Sequence, residues 1–135
     1  MKLLQIKDKQ SCRLAVKTNQ GIVDIQSEGK RFNVPIASTM KEFILQKDNL
    51  SLLNELLSHP VSYLDESSIV YAPIIEDPDK ILCVGLNYKS HQEETKMAAQ
   101  EYPTIFSKFN NAIAAHQQDV VLNPNAYNYD YEVEL

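Results

Sequence analysis

Glu132 and Glu134 lie two residues apart in the run Asp130-Tyr131-Glu132-Val133-Glu134-Leu135, which alternates strictly between polar and apolar side chains. As a strand, this run puts Asp130, Glu132 and Glu134 on one face and Tyr131, Val133 and Leu135 on the other. Two carboxylates that close repel each other unless a positive charge lies between them. A hard divalent cation such as Mg²⁺ or Mn²⁺ takes oxygen ligands and would relieve that repulsion. The same spacing is also the ordinary signature of a half-buried strand with one solvated face.

A second constellation is His91 with Glu94. Residues 90–100 (SHQEETKMAAQ) have Ser90 as an N-cap and good helix formers after it, and on such a helix His91 and Glu94 share a face. A carboxylate beside an imidazole orients it and raises its basicity, which suits a general base acting on water. An incidental surface pair would have the same spacing. The third candidate is Lys108, within Phe106-Ser107-Lys108-Phe109. Facing inward from a strand, it could hold a substrate carboxylate as a compact point charge; facing outward, it is a solvated charge. His59, at a helix end, and His116, in a polar loop, belong to no motif and receive no role. Gly85-Leu86-Asn87 lacks the further glycines and the lysine of a phosphate-binding loop.

The elements that must position these groups follow from periodicity. Residues 2–6 and 12–17 and the run Ile22–Ile25 read as three antiparallel strands, separated by the polar stretch Lys7–Ser11 and by the turn Asn19-Gln20-Gly21. Thr39 and Glu42 have capping-box spacing ahead of Phe43, Ile44 and Leu45, which predicts a short helix. Leu50, Leu53 and Leu57, widened by Leu52 and Leu56, predict a second amphipathic helix stopped by Pro60. Residues 61–80 contain Pro73, Pro78 and the acidic run Glu76-Asp77-Pro78-Asp79, and read as a connection. The run Lys80–Gly85 predicts a strand buried on both faces. Strands are expected at 104–109, 120–122 and 130–135. Because the last has an apolar face and no return strand after it, the chain is expected to break off inside an element.

Composition excludes several classes. Hydrophobic residues make up 44% of the 135 residues, which fits a globular chain rather than a disordered one. With 13 basic and 18 acidic residues, the formal charge is −5, and no basic stripe appears. Duplex nucleic acid is therefore not an expected partner, and an anionic membrane would be repelled. Cys12 and Cys83 are two isolated thiols, and the apolar run near the N-terminus is too short for a signal-peptide core or a membrane span. These features predict a cytoplasmic protein with reduced cysteines.

Three segments in register carry a family resemblance. Lys80-Ile-Leu-Cys-Val-Gly-Leu-Asn-Tyr-Lys-Ser-His91-Gln-Glu-Glu94 resembles the opening of the catalytic domain of the fumarylacetoacetate hydrolase family: an apolar strand, then G-x-N-Y, then His and Glu three apart. Phe106-Ser-Lys-Phe-Asn-Asn-Ala112 resembles the next strand and loop, and Asp130-Tyr-Glu132-Val-Glu134-Leu the metal-binding strand. Residues 1–76 resemble the smaller N-terminal domain of bacterial members. The expected fold is therefore α+β: an N-terminal β-hairpin and helix domain over 1–76, then, over 77–135, the incomplete beginning of a mixed β-sandwich roll.

The resemblance implies a divalent-metal enzyme acting on 2-oxo acids. In such enzymes the metal, Mg²⁺ or Mn²⁺, polarises the bound 2-oxo acid and stabilises an enolate during C–C hydrolysis, decarboxylation, hydration or isomerisation. It implies His91 as the general base, Glu94 as its orienting carboxylate, Glu132 and Glu134 as metal ligands, and Lys108 as a substrate contact. Homodimers are common among members. A third carboxylate ligand, an Asp, is expected well downstream of Leu135, and no Gly stands in the loop around His116-Gln117-Gln118-Asp119, where many relatives have one. The 135 residues alone are expected to be inactive. A different class, a non-catalytic binding or assembly module or the remnant of a truncated gene, fits the same chain.

Overall fold

A computed structural model describes residues 1–9, 11–88 and 102–131. Its elements are β1 (Lys2–Asp8), β2 (Ser11–Lys17), β3 (Ile22–Asp24), α1 (Ile25–Phe32), α2 (Met40–Leu45), α3 (Asn49–Ser58), β4 (Tyr71–Ala72), β5 (Ile81–Gly85) and β6 (Thr104–Lys108). Short 3₁₀ turns occur at Glu66–Ser68 and Asn110–Ala112. The mixture of helices with antiparallel sheets is an α+β fold.

The first three strands form an antiparallel meander, as their alternation predicts, with Leu4 opposite Ala15 and Val16 opposite Val23. The turn between β2 and β3 depends on Gly21. Its φ of +145° is one that L side chains rarely adopt, and an added Cβ would come within 3.1 Å of the Tyr63 Cβ. The edge opposite β3 is completed by β4, which pairs with β1 through Gln5–Ala72 and Ile6–Tyr71. The expected connection over 61–80 thus contributes a strand. Pro73, with no N–H to donate, ends β4 and blunts that edge.

Helices and loop cover opposite faces of this sheet. Leu14, Val16 and Val23 face the helices, packing with Ile25, Leu53 and Leu56, all essentially inaccessible. Leu4, Ile6, Ala15 and Ile22 face the other way, beneath Leu64, Ile69 and Tyr71 from the returning segment. Each fully buried Leu, Ile or Val side chain contributes roughly 1.5–3 kcal/mol.

α1 departs from the expectation that Ile22–Ile25 is one strand. The Asp24 side chain accepts from the Ser27 N–H at 3.0 Å and caps a helix that begins at Ile25. Asn33, left-handed at φ 56°, closes it, with the Val34 N–H returning to the Gly29 carbonyl at 2.9 Å. α2 starts with the predicted capping box: Thr39 Oγ1 accepts from the Glu42 N–H, and the Glu42 carboxylate accepts from the Thr39 N–H, both at 3.2 Å. α3 has no side-chain cap from Asp48. Its first residue, Asn49, is 1% exposed and joins the helices instead. Asn49 Oδ1 accepts from the Ala37 N–H at 3.1 Å, and Nδ2 donates to the Glu42 and Phe43 carbonyls at 3.2 Å each.

β5 and β6 pair antiparallel and make a separate two-stranded sheet. The expectation that β5 is buried on both faces fails here. Leu82 is 66% exposed, and Ile105 on its partner strand is 62% exposed. A two-stranded ribbon has no second layer of its own to cover a face. Residues 120–122, expected as a strand, form none: Val121 is 93% exposed, and no described strand pairs with it. An apolar triplet becomes a strand only beside a partner. Asp130 and Tyr131 are not in a strand, and the rest of that expected element lies outside the described residues. Among the described residues, no helix is long and apolar enough to cross a membrane.

Candidate functional site

Of the five candidate site residues, Lys108 is described, at the C-terminal end of β6 opposite Ile81. His91, Glu94, Glu132 and Glu134 lie outside the described residues, as does the predicted helix over 90–100. Strand alternation and register place Lys108 on the same face as Phe106, Cys83 and Ile81. It is exposed. The chain then turns through Asn110–Ala112, where the Asn110 amide donates to Asp77 Oδ1 at 2.6 Å. This bond fastens the loop after Lys108 to the acidic run that precedes β5.

The described residues contain no group of three or more His, Cys, Asp or Glu side chains able to hold a metal ion. They do contain polar clusters with no sequence signal, because their members come from distant parts of the chain. Lys17 Nζ donates to both Glu66 oxygens, at 2.7 and 2.5 Å, and the Tyr71 hydroxyl donates to Glu66 Oε1 at 2.6 Å. Those bonds, the Lys17 ammonium first, hold the Glu66 carboxyl below its ordinary range and push the Tyr71 hydroxyl up. His116 meets the Tyr71 ring edge-on, with centroids 4.8 Å apart. His59 stacks on Phe32 at 4.6 Å. Among the described residues, neither of those two histidines belongs to a catalytic constellation.

Both cysteines are free thiols. Cys12 Sγ donates to Glu76 Oε1 at 2.8 Å. Burial, followed by the Glu76 hydrogen bond and charge, pushes this thiol up to about 11. It is therefore protonated near neutral pH and a poor nucleophile.

Comparison with known proteins bears on what lies around Lys108. Residues 80–135 match the family model described as fumarylacetoacetate (FAA) hydrolase C-terminal. The chain belongs to the fumarylacetoacetate hydrolase family. It is 33% identical over 116 residues to a Bos taurus protein named mitochondrial oxaloacetate tautomerase, covering 85% of this chain and 36% of that protein. The corresponding Homo sapiens tautomerase is 32% identical over the same share of each chain. A Dictyostelium discoideum protein named fumarylacetoacetate hydrolase domain-containing protein 2 homolog is 33% identical over 133 residues, 94% of this chain and 41% of that one. This chain therefore spans about two fifths of the length of the curated relatives it matches. The family-matched region contains all five candidate site residues, and begins at Lys80, one residue before β5.

Proposed function

We propose that this chain supplies part of a metal-dependent enzyme acting on 2-oxo acids, with His91 as general base, Glu94 orienting it, Glu132 and Glu134 as metal ligands, and Lys108 as a substrate contact. The observation that carries the reading is the family match over residues 80–135, which contains all five side chains. The relatives named oxaloacetate tautomerases favour proton transfer next to the keto group of a C4 2-oxo acid over hydrolysis of a C–C bond. The N-terminal part, 1–76, is proposed as a folding unit that flanks the catalytic part, 77–135.

The donor chemistry fits Mg²⁺ or Mn²⁺: Glu132 and Glu134 offer hard oxygen ligands of like charge two residues apart on an alternating run. When bound, such a cation supplies Lewis-acid polarisation of a carbonyl oxygen. The chain's own groups do the rest. In this reading Glu94 would hold one nitrogen of the His91 ring, leaving the other to take a proton, and the Lys108 ammonium would neutralise a substrate carboxylate. Two carboxylates leave most of an octahedral oxygen shell to other groups, so the 135 residues alone are expected to bind the cation weakly and not to turn substrate over.

The test is Mn²⁺ binding, followed by the enhancement of water proton relaxation. Weak binding that disappears in Glu132→Gln and Glu134→Gln supports the reading. Binding unchanged in both variants overturns the ligand assignment.

A further inference from the structure

A cavity of about 520 Å³ opens where the edge of the four-stranded sheet meets the turn at residues 115–118. The segment Ile69–Pro73 lines it with mostly apolar side chains. Lys7, Cys12 and Glu76 line it as well, together with His116 and Gln117 from the turn. Lys7 and Cys12 are directly opposed across β1 and β2, and the Lys7 charge is felt at the Cys12 thiol. None of these residues belongs to the proposed catalytic set.

Several polar groups line this cavity, and they differ in how far they are already engaged. Glu76 already accepts from the Cys12 thiol at 2.8 Å. The Tyr71 hydroxyl already donates to Glu66 Oε1 at 2.6 Å. Among the described residues no ion pair or side-chain hydrogen bond engages the Lys7 ammonium, and the His116 imidazole meets the Tyr71 ring and interacts electrostatically with Glu66. The turn that brings His116 in is held by its own bonds: the Gln118 N–H returns to the Ala115 carbonyl at 3.2 Å and the Gln118 side chain accepts from the Ala115 N–H at 2.8 Å. Gln117 takes a left-handed φ of 62° within it. Lys7 and His116 bring donors without a hydrogen-bond partner among the described residues, and Val70, Ala72 and Pro73 bring apolar side chains to the same cavity. That combination suits an anion with a carbon skeleton better than a fully hydrated one.

We propose that this cavity is a second, metal-independent binding site for a small carboxylate anion, whose head would lie between Lys7 and His116 and whose carbon skeleton would lie over Ala72 and Pro73. An occupant there would bridge the N-terminal sheet and the family-matched segment, linking ligand level to how firmly the two are held together.

The experiment titrates the 135-residue chain with succinate in the presence of EDTA, which removes any contribution from a divalent-metal site, and follows backbone amide shifts. The expected result is saturable shifts at Lys7, Tyr71 and residues 115–118. Lys7→Gln should weaken binding about tenfold, as loss of a charge-assisted contact does. Glu76→Gln should tighten binding by removing the nearby negative charge, and inorganic phosphate should bind more weakly than succinate. Shifts confined to other residues, or an unchanged affinity in Lys7→Gln, overturn the site. Phosphate binding as tightly as succinate overturns the carboxylate assignment. Loss of Mn²⁺ binding elsewhere in the chain leaves these readouts unchanged, so the two proposals fail separately.

Discussion

Replacing Asn49 with Ala should be the most damaging single polar substitution in the N-terminal fold. The side chain is 1% exposed and makes four bonds. It accepts from the Ala37 N–H at 3.1 Å and donates to the carbonyls of Glu42 and Phe43, both at 3.2 Å, and to Gln46 Oε1 at 3.3 Å. The Glu42 carbonyl keeps a partner in the Gln46 N–H at 3.1 Å, so its loss is small. The Ala37 N–H has no such reserve, and an orphaned buried donor costs about 1–3 kcal/mol. With the net value of the remaining bonds, the expected loss is about 2–4 kcal/mol. Equilibrium urea unfolding at unchanged m-value measures it. Asn49→Asp should cost at least as much, because a carboxylate would face the Glu42 and Phe43 carbonyls with no proton to give. A loss of about 1 kcal/mol or less for both variants would refute the reasoning that one side chain joins α2, α3 and the preceding loop.

Three other predictions follow from local geometry. Thr39→Ala removes half the capping box and should cost about 1 kcal/mol by the same unfolding assay. The other half has a pH signature. Hydrogen bonds from the Ser38 hydroxyl and from the Ser38 and Thr39 N–H groups hold the Glu42 carboxyl below its ordinary 4.5. A depressed folded value means that the stabilisation is present above the unfolded value and lost as pH falls through the folded one. The Glu42 carboxyl carbon should therefore titrate below 4.5 by NMR, and move back toward it in Ser38→Ala. Cys12, pushed up to about 11 from 9.0, should have roughly 100-fold less thiolate at pH 8 than an unperturbed thiol, with correspondingly slow alkylation by iodoacetamide. Glu76→Gln should speed that reaction, and an unchanged rate would show that burial alone sets it.

What was legible in the sequence was what is encoded locally. The three-strand meander follows from alternation between turn residues, and the capping box from the spacing of Thr39 and Glu42. α1 was hidden because Ile25 continues an apolar run, although Asp24 with Ser27 three residues on was a readable cap signal. β4 is two residues long and exists through its pairing with β1, some 65 residues away, so no local pattern announces it. Burial of β5 was over-read for the same reason: an apolar run reports what a strand can bury, and the neighbours decide what it does bury. In the site, the residue types of Glu132-x-Glu134 and His91 with Glu94 suggest a chemistry, while the spacing alone also describes solvated faces. The family match over 80–135 shifts the balance toward chemistry.

The most direct test of the central claim is whether Mn²⁺ on this chain is seen by a 2-oxo acid. The measurement is the broadening of the carbon signals of ¹³C-labelled pyruvate by the chain plus Mn²⁺, relative to Mn²⁺ alone. The account predicts additional broadening of the carboxylate and keto carbons over the methyl carbon, lost in the double variant Glu132→Gln, Glu134→Gln and weakened in Lys108→Gln. Broadening no greater than with free Mn²⁺, or broadening that survives in the double variant, would contradict it.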